Sequence, residues 1–121
     1  MKAELFQAEQ DADILLIRPQ HSISSLADAD LMGEMDQLCT QLGQSNVKHV
    51  VIDFAAVEYF GSVMLEALRL LWNTVHAAQG QLALCNVSPV GREILEIAHF
   101  DKLWPVCDSR DAAVRTVRGE S

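Results

Sequence analysis

The sequence predicts an α/β fold: a mostly parallel sheet of four to five strands with about four helices packed against it. Three observations carry that reading. Short apolar runs rich in branched residues alternate with longer segments whose apolar residues recur every three or four positions. The clearest run, V-K-H-V-V-I-D-F at residues 47–54, is nearly continuous, as expected of a central strand buried on both faces. Strands that alternate with helices imply parallel pairing through right-handed crossovers.

The elements follow in order. Residues 4–8 form a short first strand. Residues 13–18, D-I-L-L-I-R, form a second that Pro19 stops, and the two are placed to pair antiparallel. A helix fits 27–43: Leu31, Met35, Leu38, Cys39 and Leu42 make one apolar stripe, Asp28 or Asp30 supplies a cap, and Gly43 supplies a stop. After the 47–54 strand, a helix over 62–79 presents Leu65, Leu68, Trp72 and Val75 inward, with Met64 and Leu71 beside them, and ends at Gly80. Residues 81–86 are a strand. Ser88-Pro89 opens a helix to 98, with proline where its missing N–H does no harm. Residues 103–107 are a last strand, which Pro105 assigns to an edge. A final helix at 109–118 is capped by Ser109. The whole chain, 1–121, reads as a single domain with frayed ends at 1–3 and 118–121.

Composition narrows the function. The net charge is −8, and the nine Lys and Arg form no run. Phosphate-rich partners need basic residues gathered on one face, so direct nucleic-acid binding is not expected. An acidic surface is also poorly suited to an anionic membrane. The N-terminus has no signal-peptide pattern, and no apolar run approaches the ~20 residues of a membrane span. The expected location is the cytoplasm, without membrane insertion. Cys39, Cys85 and Cys107 are widely spaced and suit the role of small hydrophobes rather than a metal site. No metal or cofactor is expected.

Catalytic signatures are missing. The string F-G-S-V-M around Ser62 is not a nucleophile elbow, and no phosphate-binding glycine loop exists. His21, His49, His76 and His99 lack metal-ligand spacing. Glu93 and Glu96 read as a solvated helix face, with Arg92–Glu96 a surface ion pair. The chain is not expected to be an enzyme.

The informative stretch is D-F-A-A-V-E-Y-F-G-S-V-M-L-E-A-L at 53–68. A buried strand ends at Asp53, and a helix opens near Ser62. Loops at the C-terminal ends of parallel strands are where α/β proteins place their sites. One reading makes Ser62 a helix cap only. The other makes it a phosphorylation switch, because a phosphate there meets free N–H groups and the positive helix end.

The string V-V-I-D-F-A-A-V-E-Y-F-G-S-V-M-L-E-A-L resembles the core motif of STAS domains, typified by bacterial anti-sigma factor antagonists. The downstream string G-Q-L-A-L-C-N-V-S-P through F-D-K-L-W-P-V-C-D-S-R-D-A-A-V fits the same family, so the resemblance spans residues 10–117. It implies a protein-binding regulator whose Ser62 is phosphorylated by a kinase that is also the anti-sigma factor. A phosphatase then resets the switch. The implied docking surface is Tyr59, Phe60, Gly61, Ser62, Val63 and Met64. Gly61 stands where the family commonly has Asp, and Met64 where it often has Gly. The alternative within the family is a constitutive subunit of a transport or stress-signalling complex, with Ser62 only a cap.

Overall fold

The computed structural model describes residues 6–19, 33, 36–42, 46–57 and 62–119. Five strands form one sheet in sequential order. β1 (Phe6–Asp11) and β2 (Ile14–Pro19) make an antiparallel hairpin, with Phe6 opposite Pro19 and Asp11 opposite Ile14. β3 (His49–Asp53), β4 (Leu82–Cys85) and β5 (Val106–Cys107) then add in parallel. The helices are α1 (described over 36–42), α2 (Ser62–Ala77), α3 (Pro89–Ile97) and α4 (Arg110–Val117). The expected caps at Asp28 or Asp30 and the stop at Gly43 lie outside the described residues.

Side-chain alternation divides the core into two layers. Leu15, Ile17, Val50, Ile52, Leu82 and Leu84 point to one face, where they meet Leu38 and Leu42 of α1, the inner side of α2 and Leu95 of α3. Ile14, Val51, Ala83 and Cys85 point to the other, where Ala113 and Val117 of α4 cover them. A sheet whose strands advance in one direction through crossovers of one hand places every crossover helix on the same side. α4 follows the last strand and folds back on the opposite side. Burial on both faces explains the unbroken apolar run of β3: Val50, Val51 and Ile52 are no more than 1% exposed.

The inner stripe of α2 is turned relative to the expected one. Met64, Ala67, Leu68, Leu71 and Val75 are buried, whereas Leu65 and Trp72 pack only along the margin. Ala67, with its small side chain, lies against the sheet and lets the helix axis approach. The Trp72 ring stacks instead on His76, with centroids 4.8 Å apart. β5 is shorter than the 103–107 reading, because residues 100–102 close a 3-10 turn that brings Trp104 into the core at 2% exposure. The expected Arg92–Glu96 pair is replaced by one between Arg92 and Asp108, 3.3 Å apart, across to the loop before α4. Ser88 accepts from the Gly91 N–H at 2.9 Å and Ser109 from the Ala112 N–H at 3.1 Å, as capping serines should.

The end of α2 differs from the expected glycine stop in an instructive way. The left-handed residue is Gln79, at φ 63°. The Gly80 N–H bonds the Val75 carbonyl and the Gln79 N–H bonds that of His76, which is a Schellman closure with Gln79 at its turning position. Gly80 is needed for a different reason: an added Cβ there would overlap the Lys48 carbonyl. The two positions therefore respond oppositely. Gly80→Ala should cost about 1–3 kcal/mol through overpacking against backbone. Gln79→Gly should raise stability by up to about 1 kcal/mol, the left-handed strain relieved less the entropy of glycine. Urea titrations with unchanged m-values would show both shifts.

His49 joins β3 to the turn before β4. Its Nδ1 accepts from the Gln81 N–H at 3.0 Å, and its Nε2 lies 3.7 Å from Asp13. Burial lowers its pKa below 6.5, and the Asp13 carboxylate only partly opposes that. Below 6.5 the unfolded chain takes up the proton first, so stability falls as pH drops from 6.5 to the lower folded value, then levels off. His49→Gln should flatten that part of a stability–pH curve measured by chemical denaturation.

Candidate functional site at the C-terminal edge of the sheet

The parallel strands end along one edge, and Asp53 sits at its centre. It is the one buried charged residue among those described, 8% exposed, and it arises where the apolar run of β3 stops. Its Oδ1 accepts from the Ala55 N–H at 2.9 Å and from Asn86 Nδ2 at 3.0 Å. Its Oδ2 lies 3.9 Å from the Nε atoms of both Arg18 and Arg110. One carboxylate thus joins the end of β2, the turn after β3, the end of β4 and the start of α4. Asn86 can reach it because it takes up a left-handed conformation, φ 56°, which asparagine tolerates better than most residues. Burial, with the Asp53 charge next in importance, pushes the Cys85 thiol up to about 12, so this cysteine stays a neutral part of the core.

The turn that leaves β3 is held by its own buried side chains. The Phe54 N–H donates to Cys85 O at 3.0 Å, and the Val57 N–H to Phe54 O at 2.9 Å. Phe54 and Val57 are buried, while Ala55 and Ala56 are exposed. The chain re-enters the core at Met64, which is 0% exposed. Residues 58–63 therefore bridge two fixed points. α2 begins at Ser62, and its first turn holds no acidic residue.

Of the expected docking residues, Tyr59, Phe60 and Gly61 lie outside the described residues, and for Ser62 and Val63 the structure describes the backbone alone. Met64 requires a correction. Its side chain belongs to the main core with Leu68 and Leu71, so it is not offered to a partner. The sequence suggested an apolar first turn facing solvent. The i, i+3, i+4 relation of Met64 to Ala67 and Leu68 puts it on the buried stripe instead.

Sequence reasoning missed Arg18, Asn86 and Arg110. One signal for Arg110 was present: an arginine in the first turn of a helix opposes the helix dipole and invites a search for an anionic neighbour. Among the described residues, the cleft between Asp53, Arg18 and Arg110 measures about 50 Å³. No described histidine shares this edge, because His49 opens β3, His76 ends α2 and His99 follows α3. Among the described residues no cluster of potential ligands could hold a metal ion, and no helix is long and apolar enough to cross a membrane. Asp53→Ala should lower stability by about 1–3 kcal/mol, because buried donors lose their acceptor. Asp53→Asn, which keeps an acceptor for the Ala55 N–H, should cost less in the same thermal melt.

Comparison with known proteins gives a consistent result. The STAS domain family model matches residues 6–113. BtrV of Bordetella bronchiseptica, which carries the name of an anti-sigma factor antagonist, is 31% identical over 101 residues, 84% of each chain. The anti-sigma factor antagonist SpoIIAA in its unphosphorylated form superposes with a TM-score of 0.81 at 19% identity, over 96% of this chain and 98% of that one. The phosphorylated form of the Bacillus protein SpoIIAA superposes with a TM-score of 0.70 at 20% identity, over 93% and 99%. With a shared five-stranded core and a family match over nearly its whole length, the chain belongs to the STAS domain family.

Proposed function

We propose that this protein is a non-enzymatic regulator of the anti-sigma factor antagonist type: it binds an anti-sigma factor that is also a serine kinase, and phosphorylation of Ser62 ends the binding. The observation that carries the reading is the position of Ser62. It is the first residue of a 16-residue helix at the C-terminal edge of the sheet, with no acid in the first turn. A phosphate there adds about −1.5 to −2 of charge next to free N–H groups and the positive helix end, so the fold accommodates it. A partner whose surface lies against that turn has to desolvate the same charge, and its affinity falls. The relation to BtrV supports the same class of partner. Tyr59, Phe60, Gly61, Ser62 and Val63 form the proposed docking surface. The proposed setting is the cytoplasm, with a phosphatase restoring the free serine.

The buried neighbours of this segment favour a switch that acts at the surface. Val57 and Met64, on either side of it, are both buried, so moving either would expose apolar surface. Ser62→Glu should weaken binding of an ATP-binding kinase-type partner at least about tenfold, which is 1.4 kcal/mol, while thermal melting stays close to wild type. Ser62→Ala should keep binding. Affinity capture from the native organism with all three proteins, followed by titration of the recovered partner, tests the reading. Equal affinity for wild type and Ser62→Glu, or recovery of a transport ATPase by both, would instead make Ser62 a cap on a constitutive subunit.

A further inference from the structure

A cleft of about 630 Å³ lies away from Ser62, on the α4 side of the sheet. α4 packs over β3, β4 and β5, and among the described residues of the β1–β2 hairpin on this face Glu9 and Asp11 are exposed and Leu16 is half-buried. Register fixes what faces it. Glu9 pairs with Leu16 and Asp11 with Ile14, and Ile14 belongs to the layer beneath α4. Cross-strand partners share a face, so Glu9 and Asp11 form an acidic wall on β1. Across the cleft, Arg115 and Arg118 of α4 form a basic wall, and half-buried Leu16 and Val114 make the floor.

Within the described residues, none of these four charges has an ion pair within 4.0 Å. The remaining charges on the helical wall have local roles. Arg110 faces Asp53, and Asp111 sits in the first turn of α4, where a negative charge complements the dipole. The result is two opposed rows of unpaired charge, one of each sign, on a chain whose net charge is −8.

We propose that this cleft is the interface of a homodimer. A two-fold axis running along the cleft turns each acidic row over the partner's basic row, so that the same pairing is made twice in the dimer and the apolar floor is closed over. Such a patch is complementary to itself, as an isologous contact requires. The other route to a dimer, edge-to-edge pairing of β1, brings the acidic rows together and is disfavoured by like-charge contact. Because the pairing is largely electrostatic, the dimer weakens with salt. The interface is separate from Ser62, so it stands whether or not the switch does.

Sedimentation velocity over a concentration series, at low salt and then at molar salt, tests the proposal. Wild type should dimerise at low salt and dissociate at high salt. The double variants Glu9→Lys/Asp11→Lys and Arg115→Glu/Arg118→Glu should each raise the dissociation constant at least tenfold. An equimolar mixture of the two should dimerise again, because the reversed walls now complement each other between chains. Circular dichroism should show all forms folded, since the four side chains are exposed. A wild type that stays monomeric at low salt overturns the proposal, even if these variants lose a different protein partner. A dimer indifferent to both charge reversals, or a mixture that does not recombine, overturns it as well.

Discussion

The Asp53 carboxylate is the constraint on which the C-terminal edge of the sheet depends. A charge buried to this degree survives only with partners on every side. Here those partners come from four different elements: a backbone N–H just after β3, an amide at the end of β4, and guanidinium groups at the end of β2 and the start of α4. Hydrophobic contact alone would let these ends slide over one another. A carboxylate with directional acceptors does not, because each bond fixes a distance and an angle. The turn toward Ser62 leaves the sheet at the residue most firmly held, and its own next residue, Phe54, is bonded to β4 and buried.

The two faces of the sheet are unequal, and that follows from strand order. Three crossover helices share one side and bury the larger side chains there. Among the described residues the opposite side has only α4, which buries Ala113 and Val117 and leaves Val114 part-exposed. Its start is fixed by polar contacts: the Ser109 cap and the approach of Arg110 to Asp53. The thin apolar layer on this side leaves the hairpin face uncovered. A face covered by one short helix and bordered by paired rows of charge offers room for a second chain without disturbing the main core.

Much of this was legible in the sequence, for reasons that can be named. The central position of β3 follows from a branched run too continuous for a half-exposed strand. The helix start at Ser88-Pro89 was visible from the proline, and the cap at Ser109 because a serine before an apolar-periodic segment suits that position. What failed was detail that depends on helix rotation and on contacts distant in sequence. Met64 and Leu65 differ by 100° around α2, and either could have faced inward on spacing alone. Gly80 was read as the stop of α2, whereas its role is to admit the Lys48 carbonyl, 32 residues earlier in the chain. The partners of Asp53 are separated from it by 33 residues or more in three cases out of four, counting Asn86, Arg18 and Arg110. No local pattern announces such a convergence.

The burial of Met64 bears on how a switch at Ser62 would work. In a loop with free ends, a new phosphate can reorganise the backbone and carry a signal by change of shape. The residues on either side of this segment, Val57 and Met64, are both buried, and a regular helix begins two residues before Met64. Backbone rearrangement would have to break apolar contacts on both sides, each costing about 1.5–3 kcal/mol for a fully buried side chain. The favourable interaction of a phosphate with a helix N-terminus is of the order of 1 kcal/mol. That sum favours a phosphate that sits on an unchanged scaffold and acts on the partner directly, through charge and desolvation. Regulation by an altered surface on a constant fold suits a domain whose C-terminal sheet edge is held at its centre by one buried carboxylate.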